Sequence, residues 1–334
     1  MVKKIPLIDF LKGYSIFTIL VYHSLLSLEL NSYLEKAIMF GGTGVHLFIF
    51  ISGFGLYASY LRKPIDFRTF IRKRLSNIYI PYIIVITFLA GVSFIIPFYN
   101  YDLYTFAGHA FLYKMFDNNI DETYGGQFWF ISTIIQLYLT FYILVKVKSM
   151  TKSSLFIFAG IAISLLWSVL VFCLHKGEYR VWNSFFLQYL WEFMLGMSVA
   201  ELYSRDVLRN TIKNYAYLIF GSVLIGINGL LVLRGGTAGK LFNDVPAFLG
   251  YTSLAIFIFK LNLRPVNKFF IFTGKISYSL YLIHVFIIAI TYYLFEIIGL
   301  VHSLVILLPI FILTYLLSYY YNLMVGRILS KWRF

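Results

Sequence analysis

The chain has 334 residues, of which 60% are hydrophobic and 13% charged, against about 25% charged in an ordinary soluble domain. So little polar surface cannot cover a water-exposed globule, which excludes a soluble enzyme and predicts a single membrane domain over 1–334 with no separate soluble domain. A net charge of +14 would point to nucleic acid in a soluble protein; here the placement of the basic residues along the membrane segments accounts for it, and no nucleic-acid partner is expected.

Crossing the hydrocarbon layer takes ~20 residues. Apolar runs of that order lie near 7–28, 41–61, 78–98, 127–147, 154–174, 184–203, 215–233, 243–260, 273–296 and 301–326. They predict an all-α bundle of about ten transmembrane helices, since backbone polar groups in lipid must be satisfied within the segment. The first run has no small-residue cleavage site and is too long for a signal-peptide core, so it is read as a retained helix. Within it Lys12 and His23 are eleven residues apart, which places them within about 20° of one face and about 16 Å apart along the axis. Asp9 lies about 40° from His23 by the same reckoning. Ionisable groups in lipid are costly and therefore functional candidates; a snorkelling lysine and a histidine bonded to a neighbouring helix are the alternatives.

The second run, GGTGVHLFIFISGFGLYAS, carries His46 at the depth expected of His23, with glycines that permit close helix approach. The following basic stretch, RKPIDFRTFIRKRLSNIYIPY, is read as a cytoplasmic loop. Its Arg72, Lys73 and Arg74 either meet anionic lipid headgroups or hold the phosphates of a nucleotide-like donor. The longest loop, 99–126, combines Asp102, Asp117, Asp121 and Glu122 with aromatics that include Tyr99, Tyr101 and Tyr104. It either rests on the bilayer surface or forms a lid over an outward-facing site. Gln127 and Trp129 open the fourth run at the outer interface. Glu192 lies midway along the sixth and needs a partner, with Lys12, His284 and Tyr281 all open. In the ninth, Ser277, Tyr281 and His284 follow i, i+4, i+7 spacing and form one stripe that faces protein or a water-filled cavity.

With both termini inside and all ten runs spanning, 22 of the 28 basic residues fall on the cytoplasmic side, Lys3, Lys4, Arg209 and Arg333 among them. Only Lys36, Lys114, Lys176, Arg180, Arg234 and Lys240 fall outside. This agrees with the positive-inside rule and predicts an N-in, C-in protein of the cytoplasmic membrane. Cys173 is the single cysteine, so no intrachain disulfide is possible, and it is expected to serve in packing. The scattered histidines lack metal-ligand spacing, so no metal is expected, and no phosphate-loop, H-E-x-x-H or G-x-S-x-G motif occurs.

In order and spacing these segments resemble the membrane acyltransferase type 3 family of bacterial cell-surface glycan O-acyltransferases. The first helix matches through Asp9, Lys12, Gly13 and His23, with Lys12 where the family usually has Arg. GVHLFIFISGF matches through Gly44, Phe48, Ser52, Gly53 and Phe54, with His46 where Asp is usual. FIRKRLSNIYIPY matches through Arg74 and Pro81, with Asn77 where a second Arg is common. GKISYSLYLIH matches closely, and QFWFIS and Phe193–Gly196 more loosely. The chain ends soon after its tenth run, as in stand-alone members.

The resemblance implies an acyl-CoA donor from the cytoplasm, acetyl-CoA by expectation, with no permanently bound cofactor, and a surface glycan or lipid-linked sugar hydroxyl as acceptor. Lys12, Arg72 and Arg74 would then bind the donor, and His23 would be general base or carry the acyl group. Tyr281 or Ser277 would stabilise the oxyanion, with His284 on the same stripe. His46, Gln127 and Trp129 would contact the acceptor. The alternative is an exporter or flippase of surface polysaccharide or lipid-linked sugar without acyl transfer, since intramembrane ionisable groups serve transport equally.

Overall fold

The computed structural model describes residues 5–26, 28, 38–95, 102–207, 212–300 and 304–331. Lys3, Lys4, Lys36, Arg209 and Arg333 of the charge pattern, Tyr99 and Tyr101 of the long loop, and parts of the first, third and tenth runs lie outside them. Among the described residues the chain forms 14 helices and no strand: an all-α polytopic membrane protein. The long elements are α1 (Pro6–Leu26), α2 (Gly44–Arg62), α3 (Phe67–Val92), α5 (Trp129–Met150), α6 (Ser153–Cys173), α8 (Leu190–Ser204), α9 (Asn214–Arg234), α11 (Asp244–Lys260), α13 (Ser277–Ile297) and α14 (Leu307–Lys331). Shorter helices α4 (Leu103–Ala110), α7 (Arg180–Asn183), α10 (Gly236–Phe242) and α12 (Arg264–Lys275) connect them.

Each of the ten apolar runs overlaps one of the long helices, but the expected ten plain spans are not reached. Seven helices are long and apolar enough to cross a membrane, or eight if α10 and α11, bent by 56°, make one span. The two remaining runs depart for physical reasons. Helix α1 has 21 residues but includes Asp9, Lys12 and His23. Helix α8 has only 15, because the first part of its run leaves the helix in turns. The carbonyls freed there are met by side chains from neighbouring helices, as non-helical backbone at membrane depth requires: Thr133 donates to Ser184 at 2.6 Å and Ser164 to Leu187 at 2.7 Å.

The basic stretch is also corrected. Arg72, Lys73 and Arg74 are not in a loop but in the first turns of α3, whose 26 residues extend for about 39 Å, beyond the ~30 Å hydrocarbon layer. Asp66 starts that helix by accepting the Thr69 amide at 3.0 Å, the ordinary N-cap arrangement. Pro81 lies inside it, and carbonyls around the proline accept hydroxyls from other elements: Tyr278 donates to Ile78 at 2.7 Å and Tyr321 to Pro81 at 2.5 Å. Tyr79 and Tyr82 reach outward to α4, donating to Ala110 and His109 carbonyls at 2.5 and 3.3 Å. Cys173, expected to be packed, is exposed at the end of α6.

Glycine sets the closest helix approaches. A Cβ on Gly53 of α2 would run into the Phe193 carbonyl of α8, and one on Gly196 of α8 would run into the Phe50 carbonyl of α2. Gly13 of α1 and Gly274 of α12 are placed in the same reciprocal way against Phe270 and Asp9. A larger residue must push two backbones apart, an overpacking change of about 1–3 kcal/mol. Gly53→Val is therefore expected to lower the thermal midpoint of the purified protein by several degrees. Gly226→Ala, whose Cβ meets open space, is expected to leave it unchanged or raise it, and a thermal scan of both variants checks the contrast.

Candidate functional site

Two cavities flank α1, one toward each end. One, called outer for the side to which the basic-residue pattern assigns it, has about 360 Å³ and is lined by Tyr22 and His23 of α1, Gln127, Trp129 and Tyr281, with Glu122 and Arg180 as its charged residues. Tyr124 and Gly125 have φ of 52° and 130°, turning the chain so that Gly126 and Gln127 join this wall. A Cβ on Gly126 would run into the Glu122 carboxylate, which forms an ion pair with Arg180 at 3.0 Å. The Arg180 guanidinium lies 5.9 Å from the Trp129 ring, and Trp129 stacks on Tyr189 at 5.9 Å.

His23 meets an unforeseen neighbour. Its Nδ1 lies 3.1 Å from Nε2 of His284, which is fully buried on α13. His284 Nδ1 is 3.0 and 2.9 Å from the carbonyl oxygens of Leu280 and Tyr281. Carbonyls only accept, so the neutral His284 ring has its hydrogen on Nδ1 and its lone pair on Nε2. That lone pair accepts from His23 Nδ1–H, which also faces the Ile19 carbonyl at 3.1 Å. The lone pair of His23 is consequently on Nε2. A second imidazole thus sets the tautomer of the first, as an orienting group does for a catalytic base.

The other expected site residues separate. Tyr281 reaches the outer cavity but donates its hydroxyl to the Gln127 carbonyl at 2.7 Å; it pins the glycine turn, and that hydrogen is already committed. Ser277, buried at the first residue of α13, does not line the outer cavity. His46 does not line it either. It pairs with Glu192 at 2.7 Å and approaches Asp244 at 3.8 Å, so Glu192 finds none of Lys12, His284 or Tyr281. Gln188 donates to Asp244 at 2.7 Å, completing a polar cluster on the side of α2 away from His23.

At the inner end a cavity of about 1020 Å³ contains Lys12 with Asp9, Arg62 and Lys275. A second, about 420 Å³, contains Arg74 with Arg62, Lys63 and Lys73. Arg72 lines neither. The inner and outer cavities share no lining residue, and fully buried Ile16 lies between Lys12 and His23 on α1. Sequence reasoning had no signal for Arg62 and Lys275 beyond their charge at helix ends.

In the described part of the long loop Leu103 and Phe111 are exposed at 80% and 78%, while Glu122 and Gly126, with Gln127 just beyond, wall the outer cavity. Beneath that wall Lys114 is 1% exposed, with its ammonium 3.5 Å from the Gly125 carbonyl and 5.9 Å from the Phe128 ring. His109 is anchored between Tyr82 at 3.1 Å and Thr123 at 3.0 Å.

The model of a family described as an acyltransferase domain matches residues 5–323. No curated protein and no solved structure matches the chain.

Burial pushes the Lys114 ammonium down to about 7, against opposing attraction from Glu122 and Asp121 and with repulsion from Arg180. Burial also pushes His109 down to about 2, helped by the Lys114 charge. Between pH 7 and the ordinary lysine value near 10.4, the unfolded loop holds a proton on Lys114 that the folded loop has released. The unfolded loop then binds more protons, so stability of the folded loop rises with pH in that window. Hydrogen exchange over 103–125, corrected for intrinsic rates, is expected to show stronger protection at pH 9 than at pH 7. Lys114→Met is expected to remove most of that difference.

Proposed function

The chain belongs to the membrane acyltransferase type 3 family, whose domain it matches over residues 5–323, and on that premise we propose that it moves an acetyl group from cytoplasmic acetyl-CoA to a hydroxyl of a cell-surface or lipid-linked sugar. The observation that carries this reading is the His23–His284 pair at the outer cavity. Its volume, about 360 Å³, is at the small end of ligand sites, enough for one sugar unit rather than a length of polymer. Gln127 Oε1 is buried without a hydrogen-bond partner and would accept from a second sugar hydroxyl. Glu122 and Trp129 would supply the polar rim and the flat surface that suit a sugar ring.

In this mechanism His23 Nε2 removes the hydroxyl proton as the sugar oxygen attacks the thioester carbonyl carbon. Collapse of the tetrahedral intermediate breaks the C–S bond, and the proton held by His23 passes to the departing thiolate, leaving an O-ester and the free thiol of CoA. His284 acts as a positioning residue. Its Nε2 holds His23 Nδ1–H, and without it the imidazole is free to adopt the tautomer that turns N–H toward the hydroxyl.

Membranes supplied with acetyl-labelled acetyl-CoA are expected to label glycan or lipid-linked sugar. His23→Ala is expected to lose roughly 10²-fold or more, the usual worth of a general base. His284→Leu is expected to lose a large part of the rate. His284→Asn, whose amide oxygen can accept from His23 Nδ1–H, is expected to recover more than His284→Leu, a rescue that simple loss of packing would not give. Equal background incorporation by wild type and His23→Ala, with native glycan present, would favour the exporter.

A further inference from the structure

The two charged residues that line the outer cavity, Arg180 and Glu122, form an ion pair whose ends are held very differently. Arg180 opens α7, a single turn tied firmly to its surroundings. Trp167 of α6 stacks on Trp182 with centroids 5.5 Å apart and planes at 13°, and its indole N–H donates to the Trp182 carbonyl at 2.9 Å. Asn183 donates to the Gly177 carbonyl at 2.8 Å, and the Ser184 carbonyl accepts from Thr133 of α5 at 2.6 Å. The guanidinium itself lies 5.9 Å from the Trp129 ring. Its place in the cavity is set by the fold.

Glu122 has no such support. It lies in the turns that close the long loop, and its side chain is 64% exposed against 33% for Arg180. One hydrogen bond of 3.0 Å joins the two, although a guanidinium has five N–H donors and meets a carboxylate best through two. Among the described residues that bond is the only one the guanidinium makes. An exposed pair of this kind contributes little to stability. Glu122 also has a second attraction, since the Lys114 ammonium beneath the wall draws on both Glu122 and Asp121. The cavity therefore holds a fixed guanidinium covered by a carboxylate that can leave it.

Resting on the acyl-transfer reading above, we propose that the acceptor is an acidic sugar whose carboxylate replaces Glu122 on Arg180 while its hydroxyl meets His23. Arg180 is then the residue that sets acceptor specificity. A carboxylate brought in by the sugar is free to use two guanidinium donors at once, which Glu122, tethered to its loop, does not do. The exchange keeps the Arg180 charge compensated throughout, and the released Glu122 keeps the attraction of Lys114. A neutral sugar of the same size binds beside the intact ion pair and gains nothing from the guanidinium charge. A sugar phosphate shares the anionic chemistry that a guanidinium recognises, and the test separates it from the carboxylate.

The test is equilibrium binding of methyl glycosides to the purified protein in phosphatidylcholine nanodiscs. The probes are glucose and galactose glycosides, the corresponding uronic acids, and the 6-phosphates. Wild type is expected to bind a uronic acid about tenfold more tightly than its neutral counterpart, the scale of one charge-assisted pair. Arg180→Gln is expected to cut that preference to about twofold or less by weakening the uronic acid alone. Glu122→Gln is expected to act in the opposite direction, tightening the uronic acid by about two- to fivefold, the worth of an exposed ion pair. A damaged fold cannot give that gain. An ion pair that serves structure alone would instead make both variants weaken every sugar, which would overturn the proposal. Equal wild-type affinity for acidic and neutral sugars would also overturn it, leaving acyl transfer to a neutral acceptor standing. A preference for the 6-phosphates over the uronic acids, lost in Arg180→Gln, would overturn the carboxylate and assign Arg180 to a sugar phosphate. Binding of none of the probes would remove the acceptor reading of the cavity itself.

Discussion

Helix α1 carries Asp9, Lys12 and His23 in 21 residues, and none of these can face lipid without a large free-energy cost. The helix must therefore be surrounded by protein or by water-filled space on its polar stripe. This constraint organises the bundle. On one side the reciprocal glycines Gly13 and Gly274 bring α12 into backbone contact. Gly44 of α2 sits against the Ser15 carbonyl and the Ile19 side chain, and α13 supplies His284 to His23. The remaining stripe opens into a cavity at each end. Helices without such a burden lie at the periphery: the apolar windows of α9 and α14 are 17% and 22% buried inside the bundle, the rest being available to acyl chains.

A second polar constraint, away from α1, explains why the bend between α10 and α11 is tolerated. His46, Glu192, Asp244 and Gln188 come from α2, α8, the start of α11 and the turns before α8. Buried charges cost more than their attraction returns unless every partner is present. Gln188 therefore does several tasks, donating to Asp244 at 2.7 Å and to the Leu241 carbonyl at the bend at 3.0 Å, and accepting from Ser168 at 3.0 Å. The glycine contacts of Gly53 and Gly196 bring α2 and α8 close enough for His46 to reach Glu192. Removing one member would leave another buried without its partner.

Sequence periodicity located all the long helices, because the bilayer allows few alternatives for an apolar run of twenty residues. It placed Lys12 and His23 on one stripe, and both cavities border that stripe. It could not say what the stripe faces. A helical wheel gives a residue's angle on its own helix and carries no information about which helix stands opposite. His23 and His284 are 261 positions apart, and His46 and Glu192 are 146 apart; nothing local couples either pair. Matching depth from the outer end put His46 level with His23 but gave no facing, and Gly44 packs toward α1, so a residue two positions on points to the far side. Tyr281 and Gln127 were each identified, while the hydroxyl–carbonyl bond that ties them was not. The basic stretch was misread as a loop because its charges masked a helix that begins at the Asp66 cap.

The arrangement of cavities bears on how a group could be handed across a membrane without carrying either large substrate through it. On the acyl-CoA reading, a donor nucleotide cannot enter hydrocarbon at tolerable cost, and Lys12, Arg62 and Lys275 gather at the inner cavity. On the same reading a sugar hydroxyl would lose its hydrogen bonds on entering lipid, and Gln127, Glu122 and His23 line the outer cavity. On that reading, what would remain to pass between is a thin, low-polarity thioester arm, over about 16 Å of helix α1. Fully buried Ile16 lies within that interval on α1. On the acyl-transfer reading, the separation of the two cavities is therefore the barrier that lets α1 keep a cation at one end and a base at the other without a leak between them.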